Sequence, residues 1–517
     1  MRCSEVKSGR SPKGRAQRYF LLGFVAGILL VLLTYLVSQQ FSISSQYGDL
    51  QFLLVAESAV VITRARRITD KQKVNNAPDE ETSEHSSRFD QSLRPLFQMT
   101  RVANRNECFL LVFILFSGRA TEKSKVVCNT EGSFSESCEA DGDVRVHGTS
   151  LSVSIVPTRS RSSERREWRI RAHARKSVDN IKKVTVTQLP DPSAAAPPCT
   201  VTYTAVPAIL FAIGGHSGRN YWHDFADVLV PLFVASRRYD GEVVFLVSNI
   251  VQPKWLDKYK AFLHRLSRYE LVDLDSDAHH VRCFPHVTVG IRIDKEFTIV
   301  PELSPGGDGR RLLTMADFTG FLRETYALPR HAAINLAREQ PGKRPRLLLI
   351  HRGHYRRLVN EQEIARAAEA AGFDAVVTEL RGDTPVGEQA LLVNSFDALL
   401  GVHGAGLTNA AFLPPGGVVI QVVPYGKMEF IARAEFSEPA ADMGLKYLDY
   451  SVSVEESTLL EMLGAEHPVI KDPDSVHRSG WGMIDEYYLR KQDVRINVTR
   501  FAPTLALAFE HLRRRQQ

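Results

Sequence analysis

Residues 397–412, DALLGVHGAGLTNAAF, join a short apolar run to a helix start through His403-Gly404-Ala405-Gly406. A short apolar run closed by glycines and followed at once by helix-forming residues reads as a buried strand turning into a helix. Glycines let a ligand approach the backbone closely, and the free N–H groups of a helix start favour an anion. The diphosphate of a nucleotide suits such a turn best, with His403 beside it, although an ordinary strand-to-helix turn uses the same glycines.

The alternation extends to either side. From residue 203, strands are expected at 208–213, 242–247, 269–274 and 286–291, with helices at 221–235, 255–266 and 315–326. After a Pro/Gly/basic stretch at 339–345 a second set follows. Its strands are expected at 346–351, 375–379, 398–402, 418–423 and 446–450, and its helices at 361–371, 387–394, after Gly406 and at 430–436. A last helix at 503–514 can return to pack on the first domain. Two such blocks predict an α/β protein of two doubly wound, Rossmann-type domains, 201–340 and 341–517, with ligands held beyond the carboxyl ends of the strands. Ahead of them, β-like stretches at 146–156, 168–173 and 183–188 predict a small β-rich meander within 125–200.

The N-terminus carries six Lys/Arg against one acid, then eighteen uncharged residues, 20–37. That is long enough to span a bilayer as a signal anchor, and no small-x-small cleavage site follows it. The basic tail, 1–19, is expected on the cytoplasmic side and the rest of the chain across the membrane, behind a largely disordered stem at 38–124. The run 109–116 is apolar but too short to span. The net charge of +6 resides almost wholly in the tail, so the main body is near neutral and nucleic acid is an unsuitable partner. Of six cysteines, Cys3 is cytoplasmic and the others face an oxidising compartment. Cys128 with Cys138 is the best pair and Cys199 with Cys283 the next, leaving Cys108 odd. Asn497-Val498-Thr499 is a glycosylation sequon.

Three loops carry chemistry. In Gly214–Asp227, His223 and Asp227 lie four apart and share a helix face; a His oriented by a carboxylate is a competent base, and equally a structural pair closing the loop. In the segment 351–361, Arg352 and Arg356 suit a diphosphate, and Asn360 is a fair helix N-cap. In the third, the His403–Asn409 turn, Lys427 follows the next strand and either adds charge near a phosphate or is plain surface. Asp273, Asp275 and Asp277 have a spacing that can hold a divalent metal. The arginines and the helix start already offer positive charge, so a metal is not expected.

Taken together, these segments resemble glycosyltransferase family 61, in its plant branch of xylan arabinosyl- and xylosyltransferases of the Golgi. The resemblance rests on Cys138-Glu-Ala-Asp-Gly-Asp-Val-Arg-Val-His-Gly148, Asn220-x-x-His223-x-Phe225-x-Asp227, Val281-Arg282-Cys283-Phe284, Arg352-x3-Arg356-x3-Asn360, His403-Gly404-Ala405-Gly406-Leu407-Thr408-Asn409 and Gln421-Val422-Val423-Pro424. It covers about residues 125–513, in order along the chain. It implies a GT-B-like fold, a UDP-sugar donor, inversion at the anomeric carbon and no metal or other cofactor. On that reading His223 is the base, oriented by Asp227, with Asp224 the competitor. His403, Gly404, Ala405, Gly406 and Leu407 cradle the donor, Arg352 and Arg356 neutralise the diphosphate, and Asn360 holds their loop. The expected enzyme is a type II Golgi membrane protein adding arabinofuranose, or xylose, to a xylan backbone, with a synthase complex as a further partner. The alternatives are a β-1,2-xylosyltransferase acting on N-glycan cores, a non-catalytic Golgi scaffold, and a lumenal polysaccharide-binding protein without nucleotide affinity.

Overall fold

The computed structural model describes residues 124–514 apart from 133, 158–163, 192–195, 305–310 and 339–341. The expected tail, anchor and nearly all of the stem lie outside the described residues, with Cys3 and Cys108. No helix among the described residues is long and apolar enough to cross a membrane.

The β-rich region does not stand ahead of the first domain but is built into its sheet. Ten strands form this sheet, with β4 (Arg166–Arg171), β5 (Lys183–Gln188), β3 (Ser152–Val156), β2 (Ser137–His147), β10 (Val281–Val289), β7 (Ala208–Ala212), β8 (Val244–Ser248) and β9 (Val272–Asp273) in that spatial order. β1 (Lys125–Asn129) pairs with β2, and β6 (Val201–Thr202) with β10. β10 makes the join, running antiparallel to β2 and parallel to β7. Because β3 pairs with β5 in parallel, the region is not a simple meander. Two disulfides brace it: Cys128 and Cys138 sit directly opposite in the β1–β2 register, and Cys199–Cys283 ties the approach to β6 onto β10.

The second sheet is wholly parallel, in the order β12 (Asp374–Glu379), β11 (Arg346–His351), β13 (Ala398–Val402), β14 (Val418–Val423) and β15 (Lys446–Ser451). β13 and β14 are buried at every position, as strands covered on both faces must be. The C-terminal helix, Val498–Arg514, sets Phe501, Leu505, Ala508 and Leu512 into the core of this second sheet. It therefore does not return to the first domain; its apolar stripe already has a partner where the chain emerges. Four further short helices fill 458–484, where alternation was not evident.

A shared core joins the two halves. Phe225 meets Phe297, Phe318 and Phe412 edge to face, with ring centroids 6.0–6.3 Å apart. Phe412 belongs to the helix after β13 and the other three to the first half. Thr298 donates to Asp442 at 3.1 Å and Lys295 pairs with Glu438, so polar contacts flank the aromatic seam.

Pro285 interrupts β10. It has no N–H for the ladder, and the register with β2 shifts between Phe284 and His286. The shift sets His286 between Asp141 (Nδ1–Oδ1 2.6 Å) and Glu139 (Nε2–Oε2 2.9 Å). Burial works against its charge, but the hydrogen bonds it donates to both carboxylates raise the imidazole to about 9. A folded value above the unfolded one, about 6.5, stabilises fully below the unfolded value and fades as pH rises through the folded value. Equilibrium unfolding of the protein should therefore lose about 1 kcal/mol between pH 6.5 and 9, the partly exposed carboxylates being screened by solvent. His286→Gln should abolish that slope.

Candidate active site

Both halves place their loops at the carboxyl ends of their parallel strands, and chemistry gathers there. After β7, Asn220 accepts the Trp222 N–H at 3.0 Å and opens a helical stretch. Its first turn, Tyr221–His223, is α-helical; Asp224–Leu229 then widens into a π turn before Val230–Ser236 resumes the α form. Such turns within helices frequently mark functional sites. The stretch brings His223 Nδ1 to 2.8 Å from Asp227 Oδ2.

Asp227 is completely buried, and Arg175 is what makes a charge tolerable there. Arg175 Nε donates to Asp227 Oδ1 at 2.8 Å, and its Nη1 donates to Glu296 at 2.8 Å. Burial alone would raise the Asp227 carboxyl, but Arg175, with His223 assisting, holds it at about 2. An anionic Asp227 accepts a hydrogen bond from Nδ1–H of His223, which leaves Nε2 for a lone pair, the arrangement a general base needs. His173 packs nearby, buried and kept uncharged at about 4 chiefly by that burial, and His216 lies against His223 with ring centroids 4.7 Å apart.

Asp224, the competing candidate, is committed elsewhere. Its Oδ1 accepts from Gly218 N (2.6 Å) and Trp255 Nε1 (2.8 Å), and its Oδ2 from the Tyr259 hydroxyl (2.7 Å). Buried with three donors, and with Lys258 Nζ 3.7 Å from Oδ2, it pins the glycine loop. The aspartates of 273–277 are likewise occupied locally. Asp273 accepts from Asp275 N and Ser276 Oγ, Asp275 from Ile250 N, and Asp277 pairs with Arg282. Asp143, Cys199 and Cys283 form a metal-sized cluster, but both cysteines are spent in their disulfide.

Across from this, β13 runs into Gly404, whose φ of 139° lies where only glycine is comfortable. A Cβ there would stand 2.9 Å from Arg356 Nη2 and 3.1 Å from Arg352 Nη1, so both guanidiniums lie against the turn. Tyr355 and Arg356 are both left-handed, folding their loop back, and Arg356 N donates to Gln492 O at 2.9 Å. Neither Arg352 nor Arg356 makes an ion pair with a carboxylate among the described residues. Burial, then the neighbouring Arg352, lowers Arg356 to about 9, against the opposing pull of Glu435 and Asp485. Asn360 does not cap its helix; its amide bonds Ile496 O and Glu363, and its oxygen accepts Ile496 N, tying the arginine loop to the C-terminal segment. Lys427 is exposed and pairs with Asp474.

His403 is buried and held down to about 3 by that burial and then by Arg356 and Arg352, so it is a neutral group among cations. Ala405–Phe412 is a 3₁₀ rather than α-helical stretch, and Gln389 Nε2 donates to Asn409, which in turn donates to Gly406 O, bracing the turn. Glu435, on the helix Glu429–Asp442, lies between the two halves. Its carboxyl interacts with Glu296 and Arg175 on one side and Arg356 on the other, and Oε2 is 3.8 Å from His403 Nε2. Burial and then Glu296 push it up to about 8. Arg175, Glu296, His173 and Glu435 belong to no pattern read in the sequence. Only the placement of Glu435 on the helix after β14, at the ligand-binding edge of a parallel sheet, could have pointed to it.

Residues 221–420 match the family model Glycosyltransferase 61. A beta-1,2-xylosyltransferase of Oryza sativa subsp. japonica is 40% identical, over 75% of this chain and 84% of its own length. An alpha-1,3-arabinosyltransferase of the same species is 39% identical, over 75% of this chain and 66% of its own. A xylan glycosyltransferase of Arabidopsis thaliana is 31% identical, over 75% and 80%.

The ion pairs of Arg175 predict its own test. Arg175→Met leaves Asp227 and Glu296 charged without their partner, and chemical denaturation should show a loss of about 3–5 kcal/mol.

Proposed function

Because the chain belongs to the glycosyltransferase 61 family, and is therefore a glycosyltransferase, we propose that it transfers a pentose from a UDP-sugar to a xylan backbone with inversion. Arabinofuranose is the first choice of sugar and xylose the second. The single observation that carries the reading is the oriented His223–Asp227 pair, linked through Arg175 and Glu435 to the two arginines held against Gly404. Support for the sugar comes from relatives named as xylosyl- and arabinosyltransferases.

In this mechanism His223 Nε2 removes the proton of an acceptor hydroxyl as its oxygen attacks the anomeric carbon. The glycosidic C–O bond breaks, and UDP departs with the electron pair. Arg352, Arg356 and the N–H groups after Gly404 stabilise the charge that develops on the diphosphate. Those cations would do the work a divalent metal does elsewhere, so the transfer should proceed in EDTA. The two halves act as a GT-B-like pair, acceptor on the first and donor on the second. The protein would sit in the Golgi membrane by residues 20–37 with its body in the lumen. Asn497 is exposed there, and its Oδ1 accepts the N–H groups of Thr499 and Arg500, which leaves its amide nitrogen for a glycan.

The test incubates the protein with UDP-arabinofuranose, UDP-xylose or UDP-N-acetylglucosamine and xylo-oligosaccharides in EDTA, with mass spectrometry of the products. A pentose added by the parent and lost in His223→Ala is the expected result; no binding of millimolar UDP would sink the reading. Gly404→Ala should weaken UDP binding by roughly tenfold or more, since the new methyl displaces both guanidiniums and a buried charge-assisted contact contributes about 1.5–3 kcal/mol.

A further inference from the structure

His403 makes one side-chain hydrogen bond in the described structure, and its direction fixes what the ring can do. Gln421, completely buried on β14, stands with Nε2 2.8 Å from His403 Nδ1. The other end of the same amide, Oε1, is 2.6 Å from the hydroxyl of Tyr447 on β15. That phenol has no other hydrogen-bond partner among the described residues, so its proton points at the amide oxygen. The amide must then present N–H to the imidazole, and Nδ1 must be the acceptor. The ring's proton is thereby confined to Nε2, which faces the cleft. No hydrogen-bond partner of Nε2 is found among the described residues; the carboxylate nearest it is Glu435, 3.8 Å away.

We propose that Tyr447 and Gln421 are positioning residues that lock His403 as the Nε2–H tautomer, making it a neutral donor to an oxygen of the nucleotide-sugar diphosphate. The proposal rests on the donor-site reading above. A locked neutral donor has a physical advantage here. Arg352 and Arg356 face the ring from the loop after β11, so a third cation would cost binding of the turn itself. A free imidazole would spend part of its time with the proton on Nδ1 and a lone pair aimed at a phosphate. With Glu435 facing it from the helix Glu429–Asp442, and Arg175 and Glu296 behind that carboxyl, the ring titrates only if its Nδ1 partner changes.

The experiment uses the full chain in detergent, labelled with ¹⁵N-histidine, with the His403 signals identified by their loss in His403→Gln. Long-range ¹⁵N–¹H spectra should show a protonated Nε2 and an unprotonated Nδ1 in the parent, and the Nδ1–H form instead would overturn the lock. Gln421→Glu replaces the donor at Nδ1 by a carboxylate, so Nδ1 must carry a proton. UDP affinity should then fall about tenfold as pH rises and Nε2 loses its proton, while the parent stays flat over the same range. Should Gln421→Glu misfold, Tyr447→Phe frees the amide to turn and should weaken UDP binding about fivefold with the Nδ1–H signal appearing. Unchanged tautomer and affinity in a folded variant contradict the proposal. The spectra read the lock without nucleotide, so a parent with the Nε2–H ring but no UDP binding would refute the donor site and not the lock.

Discussion

One guanidinium supports the His223 side of the proposed site. Arg175 sits at the end of the β-rich region and reaches Asp227 on the π turn and Glu296 on the segment after β10. Without it, Asp227 and Glu296 would lose the cation they share, and a buried carboxylate would be left without its ion-pair partner. With it, Asp227 stays anionic and can fix the tautomer of His223. The β-rich region is therefore part of the site as well as of the sheet. Arg175 follows β4, and the hydrogen bond from Ala212 N to Ala172 O at 2.6 Å joins that segment to the end of β7.

The two walls of the cleft solve opposite electrostatic problems. On the proposed acceptor side a base must be oriented, and a carboxylate hydrogen-bonded to His223 achieves this. On the donor side an anion must be welcomed, and two arginines are held without carboxylate partners, one of them lowered to about 9. His403 and Glu435 between them are both neutral near pH 7, one lowered to about 3 and the other raised to about 8. The cationic pair is thus not cancelled by its neighbours before a ligand arrives.

The strands of the second half were legible almost to the residue. Strands expected at 346–351, 398–402 and 418–423 appear at those bounds, because a strand covered on both faces is a short apolar run ended by glycine or a polar turn. Arg352 and Arg356 lie in the turn after β11 and His403 in the turn after β13, so the strand–helix alternation places all three at the same edge of the sheet. Family membership was equally readable from the ordered motifs. The acceptor side was less so. Arg175 and Asp227 are far apart in the chain and only the sheet joins them, and no periodicity reports a pairing between β2 and β10. Asp224 stood as the competitor to His223 because hydrogen-bond partners are a tertiary fact; Trp255 and Tyr259, which donate to it, lie a helix away. Asn360 likewise reads as a cap and serves as a tether to Ile496.

The account depends on one geometry, a diphosphate and an acceptor hydroxyl meeting between His223 and Gly404. The most direct measurement is an experimental structure of the protein with UDP and a xylo-oligosaccharide. The account predicts the diphosphate against Gly404 with Arg352 and Arg356 on its oxygens, and an acceptor hydroxyl about 3 Å from His223 Nε2. A diphosphate bound away from Gly404, or an acceptor hydroxyl whose nearest base is a group other than His223, would contradict it.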